Sequence, residues 1–386
     1  MRRIPVTSRP NLANSAIAHG FAVDEFGNVP YWDETAYYCF SLRQIEDDLE
    51  RPAETIEDLC FEILERAVTD ETVFRRLQIP EVYWDYIASS WRNREKDLIG
   101  RFDFSYDGAS PAKLLEYNAD TPTTLYEASA FQWEWLEETI ERGLISNTAD
   151  QFNLLHEFLL AAFANFGIDG PLHLACQKHI DDDRDTVEYL EALAQEAGLE
   201  TIFLSMDEIG VDSQGRFSDL DDHVIDWLLK LYPWEWLMEE KFGQYIPANG
   251  ARFIEPPWKG VLSNKGLLPL LWNSFEGHPN LLPAFFESDP RAAELGSNFV
   301  RKPLLSRRGA NIEIVCNGDT VAHEYGPYGQ EGYVVQAFHP LPEFNGRYPV
   351  MGCWMVAGDA AALCIREDYG LVTTENAVFM PHIILD

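Results

Sequence analysis

Positive charge is what this chain of 386 residues has least of: 29 Lys and Arg stand against 64 Asp and Glu, a formal net charge of −35. Nucleic acid is held by clustered Lys and Arg, so it is excluded as a partner. The deficit suits a cationic substrate, because a cleft of one sign concentrates the opposite charge; it equally suits a plain solubilising surface. Cysteine is sparse. The six, Cys39, Cys60, Cys176, Cys316, Cys353 and Cys364, form no C-x-x-C. The N-terminal MRRIPVTSRPNLANSAIAHGF has no long apolar run, so a secretory leader is not expected and a reducing cytoplasm is the expected location. No stretch of about 18 apolar residues occurs, so no membrane span is expected. Neither G-x-x-x-x-G-K-[ST] nor G-x-G-x-x-G occurs, and there is no G-x-S-x-G elbow; the common nucleotide loops and hydrolase nucleophiles are thereby excluded. Internal repeats and low-complexity linkers are absent too.

What the chain does have is a globular composition, 46% hydrophobic and 13% aromatic with 11 Trp, and enough length for two or three structural layers. The most informative stretch is Arg101 to Glu127, RFDFSYDGASPAKLLEYNADTPTTLYE. Period-two alternation predicts a strand with Arg101, Asp103 and Ser105 on one face. Asp107-Gly108-Ala109-Ser110-Pro111 predicts a turn. A second strand follows, with Glu116, Asn118 and Asp120 on one face. If the hairpin forms, Asp103, Glu116 and Asn118 converge, and three hard oxygen donors suit Mg²⁺. The plainer alternative is the solvated face of an edge hairpin.

Elsewhere, residues 1–40 are expected to wrap the surface. Ser41 is expected to cap a helix whose apolar positions recur through Ala67. Further helices are predicted over 81–91, 125–144, where Phe131, Trp133 and Trp135 are assigned to the core, and 153–166. An α/β unit follows: strand Leu172–Cys176, loop Asp181–Asp185, helix Asp185–Ala197 ending at Gly198, and strand Thr201–Met206. Loops past strand carboxyl ends are where open α/β sheets bind ligands, and this acidic one could hold ammonium groups or simply complement the helix dipole. His173, Cys176 and His179 invite a zinc reading, which a strand disfavours because 173 and 176 point to opposite faces. Residues 219–230 read as a helix. Strands are expected at 298–303, 311–316 and 332–338, completed as one antiparallel set by 350–357 and 361–366, with a basic glycine loop at Ser306–Asn311.

Several long motifs lie in order along almost the whole chain: RFDF, LLEYNAD, LYPWEW, FIEPPWK, SNKGLLPLLW, VRKPLLSRRGAN, VVQAFHPLP and CIRED. They resemble the synthetase domain of the glutathionylspermidine synthase family, and most closely its stand-alone bacterial acid–amine ligases. The resemblance implies an α/β (α+β) chain with an ATP-grasp fold, its element order permuted, beside a Rossmann-like unit. The expected division is 1–150, helical with the metal hairpin; 151–260, the α/β unit; and 261–386, the ATP-grasp region. It implies ATP- and Mg²⁺-dependent joining of a peptide-like (glutathione-like) carboxylate to a polyamine through an acyl-phosphate. It places Mg²⁺ on Asp103, Glu116 and Asn118, and catalytic stabilisation on Arg101 and Arg366. ATP falls to Lys265, Lys302, Ser306, Gly309, Gln336 and Arg366. Substrate contacts fall to Thr121 and Thr123, where the family has serines, and to Asp182 and Asp183, where it has paired glutamates. The family's cysteine-dependent amidase part has no counterpart in the matching stretch, so amide hydrolysis is not expected. A non-catalytic nucleotide- or polyamine-binding protein on the same scaffold is the alternative reading.

Overall fold

A computed structural model describes residues 1–18 and 31–386, without the side chains of Ala18, Asp181 and Asp182. The architecture is mixed α/β, and three of its sheets carry the features that matter. One is antiparallel, in the order Val378–Met380, Asp359–Asp368, Tyr348–Val356, Ile99–Ser105, Lys113–Asn118. A second antiparallel sheet runs Ala284–Phe286, Tyr333–Ala337, Phe299–Pro303, Glu313–Cys316, Asp319–His323. The third is parallel: Arg252–Ile254, Trp227–Leu231, Leu172–Cys176, Thr201–Ser205.

The expected single antiparallel set is therefore two sheets. Strand 348–356 pairs with the metal hairpin and strand 359–368 pairs with 348–356, and neither pairs with 299–303. Period-two alternation states which face of a strand is buried but not which strand lies beside it, so partner choice was not encoded locally. The stretch 219–230 is not a helix. Asp219 accepts from the backbone N–H of Asp221 and His223 at 3.0 and 2.8 Å, closing a turn, and Trp227–Leu231 is an inner parallel strand. Such strands are covered on both faces and read as an unbroken apolar run, which a buried helix also does. Asp181–Asp185 is likewise no loop, because the helix begins at Asp181 and runs to Glu196; its acids occupy the positive end of the dipole. Among the described residues of 1–40, strands Arg2–Pro5 and Ala36–Phe40 pair with each other. Trp133 is 45% exposed, whereas Phe131 and Trp135 lie in the core as expected.

Ser41 caps its helix with a full capping box to Gln44. That helix passes through a wide π turn at Glu46–Glu50 just ahead of Pro52, whose missing N–H fits a regular turn poorly, and continues to Ala67. His173 faces Asp219 at 3.4 Å, while Cys176 packs with Leu172 and Leu174 on the other side of the strand.

A buried ionic network backs the hairpin. The Tyr117 ring stacks on Phe102 with centroids 3.8 Å apart, and its hydroxyl donates to Glu57 Oε1 at 2.9 Å. A Cβ on Gly100 would fall 2.6 Å from that hydroxyl oxygen, so the close approach requires glycine. Lys259 Nζ lies 2.8 Å from Asp97 and 3.6 Å from Glu255. Burial pushes the Glu57 carboxyl up to about 7, against the opposing charge of Lys259. Its folded pKa exceeds the unfolded value of 4.5, so its contribution to stability is full below that pH and is lost as pH rises through about 7. Glu57→Gln should therefore flatten the fall in stability across this window by on the order of 3 kcal/mol. Thermal melts of both proteins at mildly acidic and mildly alkaline pH measure it; parallel declines would refute it.

Candidate active site

The hairpin register sets Asp103 opposite Glu116 and Arg101 opposite Asn118, with a bulge just after Asp103. Asp103 accepts from Arg101 Nε at 2.8 Å, from Arg101 Nη2 at 3.2 Å and from Arg366 Nη2 at 2.6 Å. Asn118 Nδ2 donates to Asp103 at 3.1 Å and to Glu116 at 3.4 Å, so the three expected ligands do meet. Arg366 arrives on strand 359–368, two strands away in the same sheet. Gly352, on the strand between, makes room for Arg101: a Cβ there would lie 2.9 Å from Arg101 Cδ and 2.5 Å from Cys364 Sγ.

The second sheet brings the lysines. Lys302 Nζ donates to Leu115 O and to Gln336 Oε1, both at 2.8 Å, and Gln336 Nε2 donates to Leu114 O at 3.0 Å. These bonds tie the second sheet to the backbone of the hairpin. Lys265 Nζ lies 3.3 Å from Glu116 and donates to Ser306 O at 3.0 Å. Burial alone would raise the Glu116 carboxyl, but Lys265, Lys302, Arg366 and Arg101 together hold it down at about 2. Burial also pulls Lys302 down to about 8, with Glu116 opposing.

The Ser306–Asn311 loop closes this side. Arg308, Gly309 and Asn311 have φ of 53°, 75° and 58°. A Cβ on Gly309 would sit 2.9 Å from Thr373 O, so the loop lies directly on segment 372–373. One cleft, about 1470 Å³ of space partly open to solvent, is lined by Arg101, Asp103, Glu116, Asn118, Thr121, Thr123, Lys265, Lys302, Ser306, Gly309, Gln336 and Arg366. Arg101 Nη1 also donates to Thr123 O at 3.2 Å, linking the metal strand to the threonine loop.

Two expectations change. Asp120 does not share the face of Glu116 and Asn118. It lies past the strand end, buried, with Lys230 Nζ at 2.7 Å and the Trp234 N–H donating at 2.8 Å. Lys230 is 110 residues away, beyond the reach of local pattern. Asp183 is fully buried behind the cleft wall and faces Arg307 at 3.6 Å, so it is not an open ammonium contact. The Asp182 side chain lies outside the described residues. Conversely, Arg307 and Glu235 line the cleft and were not singled out from sequence, although both stand inside quoted motifs, SRRG and LYPWEW.

Among the described residues no cluster of three His, Cys, Asp or Glu side chains is placed to hold an ion, and no helix is long and apolar enough to cross a membrane. A carboxylate pair with an amide is a different donor set, and it suits Mg²⁺, which takes one or two carboxylates together with water and phosphate oxygens.

Residues 3–385 match the family model described as glutathionylspermidine synthase preATP-grasp. A Haemophilus influenzae protein named as an acid–amine ligase is 37% identical, over 97% of both chains. Crithidia fasciculata trypanothione synthetase is 27% identical over 84% of this chain and 53% of its own length. The bifunctional glutathionylspermidine synthetase/amidase of Escherichia coli is 26% identical over 93% of this chain and 61% of its own. Among solved structures, a glutathione synthetase-like effector from Globodera pallida superposes with a TM-score of 0.60 over 97% of this chain and 96% of that one, at 11% identity, which makes the fold similar. With a family model matched from residue 3 to residue 385, the chain belongs to the glutathionylspermidine synthase family.

Proposed function

We propose that the chain is an ATP-dependent carboxylate–amine ligase on an ATP-grasp fold of permuted element order. It would join a peptide-like, glutathione-like acid to a polyamine through an acyl-phosphate. One observation carries this: a protein of net charge −35 gathers Arg101, Lys265, Lys302 and Arg366 around two carboxylates and an amide in one cleft. Such a concentration of scarce cations suits a polyphosphate with its metal. Asp103, Glu116 and Asn118 would hold Mg²⁺, with the Asn118 amide turned to present its oxygen. When bound, the ion would neutralise charge on the phosphates.

Lys302 and Gln336, held against the hairpin backbone, would flank the nucleotide, with Lys265, Arg366, Ser306 and Gly309 on its phosphate side. Arg101 is oriented by Asp103 through two nitrogens and touches the threonine loop with a third, which supports a role beside the carboxylate of an acid that Thr121 and Thr123 would hold. Asp183 fits a role behind Arg307, keeping that guanidinium aimed at the cleft. The names of the relatives, trypanothione and glutathionylspermidine synthetases, are in keeping with a thiol peptide and a polyamine.

The test is ADP release by purified protein with Mg²⁺, across a panel of small peptides and amines offered singly and in pairs. Turnover that requires an acid is expected. Nucleotide binding without ADP release under any pairing would favour the non-catalytic alternative. A second expected result concerns the Ser306–Asn311 loop, which must open for ATP and then exclude water. Its amides should exchange with solvent faster without nucleotide than with MgATP; equal exchange in both states would remove the lid role.

A further inference from the structure

The geometry points to Glu235 as the general base that deprotonates the attacking amine, an inference that rests on the ligase reading above. Glu235 stands in the first turn of helix Trp234–Glu239 and lines the cleft with Thr121, Thr123 and Arg307. The next residue, Trp236, lines an adjoining cavity with Tyr325, Tyr328, Glu324, Asp368 and Glu375. Arg307 and Arg308 border both spaces. Consecutive residues of one helix thus face the cation-lined cleft, where the acyl-phosphate would form, and an acidic, aromatic antechamber that suits an entering ammonium group.

The need for a base is chemical. An alkylammonium with a pKa near that of lysine is neutral in only roughly one molecule per thousand at pH 7, and only the neutral form has a lone pair. Every titratable group assigned above to the phosphate side is either a cation or a carboxylate already engaged by cations, and His339, which also lines the cleft, has Lys113 and Asp107 of the hairpin as its charged neighbours. Glu235 differs: its carboxylate has no hydrogen bond to another described side chain, and its surroundings keep it ready to take a proton. Burial and the charge of Asp120 raise it to about 7, against Arg307 and Lys230. Tyr328 and Arg308 line the antechamber side, and the Glu235 charge reaches Tyr328. A base acting at neutral pH works best with a pKa there.

In the step itself, the Glu235 carboxylate takes one proton from the ammonium nitrogen. The freed lone pair attacks the acyl carbon, and the carbon–oxygen bond to phosphate breaks with its electron pair going to the phosphate. The second nitrogen proton leaves with that phosphate, and Glu235 later returns its own proton to water. Because the base must be ionised, amide synthesis in wild type should fall as pH drops below about 7.

Hydroxylamine separates this role from earlier steps, since it is largely neutral at pH 7 and attacks acyl-phosphates unaided. Full-length wild type, Glu235→Gln and Glu235→Asp would be compared with MgATP and glutathione, γ-glutamylcysteine or diglycine as acid, using spermidine or hydroxylamine as nucleophile. The expected result is that Glu235→Gln loses on the order of a hundredfold in kcat with spermidine, keeps hydroxamate formation and the KM for ATP, and loses the acidic limb of the pH profile. Glu235→Asp should restore part of that limb. Equal loss of amide and hydroxamate in Glu235→Gln, or an unchanged rate with spermidine, overturns the assignment. Absence of hydroxamate from wild type with every acid overturns the ligase reading itself, and this inference with it.

Discussion

Asp103→Asn should lower ATP turnover by roughly a hundredfold or more, at a smaller cost in stability than Asp103→Ala. The substitution keeps the volume and one acceptor oxygen for Arg101 Nε, so the strand and its bulge persist. What goes is the negative charge on which Arg101 and Arg366 converge, at 2.8 and 2.6 Å, and one of two carboxylates able to hold Mg²⁺. Asp103→Ala is the poorer experiment. Asp103 is 2% exposed, and alanine would leave two guanidiniums facing each other without their shared anion, costing roughly 3–5 kcal/mol of stability. ADP release at increasing Mg²⁺, with a thermal melt, decides the matter. Turnover within a few-fold of wild type at low Mg²⁺ would dissociate Asp103 from the metal.

The largest effect on stability is expected at Asp120→Ala. Lys230 is 1% exposed, and its ammonium has Asp120 at 2.7 Å, Tyr232 O at 2.9 Å and the Trp234 ring centroid at 4.4 Å. Removing the carboxylate leaves a buried charge with one neutral acceptor and strips the Trp234 N–H of its partner. Loss of one member of such a pair costs roughly 3–5 kcal/mol. The double variant Asp120→Ala/Lys230→Met should recover a good part, because the uncompensated charge is then gone. Urea unfolding of the three proteins measures the coupling. A cost below about 1 kcal/mol for the single variant would mean that the pair is solvated. Asp120 also joins the end of the hairpin to helix Trp234–Glu239, so its loss should disturb the threonine loop and Glu235 together.

How much of this was readable in the residues follows from distance along the chain. The hairpin was legible because Arg101, Asp103, Glu116 and Asn118 alternate within 18 residues around a strong turn. Ser41 was legible because a capping box spans four residues. Lys265, Lys302, Gln336 and Arg366 were reached through ordered motifs, and the structure collects all four in the cleft. The failures have one physical character. Trp227–Leu231 was missed because a doubly covered strand loses its alternation. Asp120 was misplaced because its partner comes from another sheet, and Asp183 was read as open because nothing local announces Arg307. Glu235 carries no signal beyond its motif, since its distinction comes from burial, which only the packed molecule confers.

The hairpin's antiparallel sheet, assembled from distant parts of the sequence, bears on the order in which the chain is made. Strand Ile99–Ser105 emerges early, yet one of its two neighbours, Tyr348–Val356, is about 250 residues later, and Arg366 later still. Until they arrive, one edge of that strand must wait unpaired, exposed to any other extended segment. Fragments ending between Lys302 and Tyr348 would then have Lys265 and Lys302 but neither Arg366 nor the strand that covers that edge. Interrupted translation should yield products that are inert toward ATP and prone to clump, and the slow step in refolding should be the docking of the final strands rather than the closure of the hairpin.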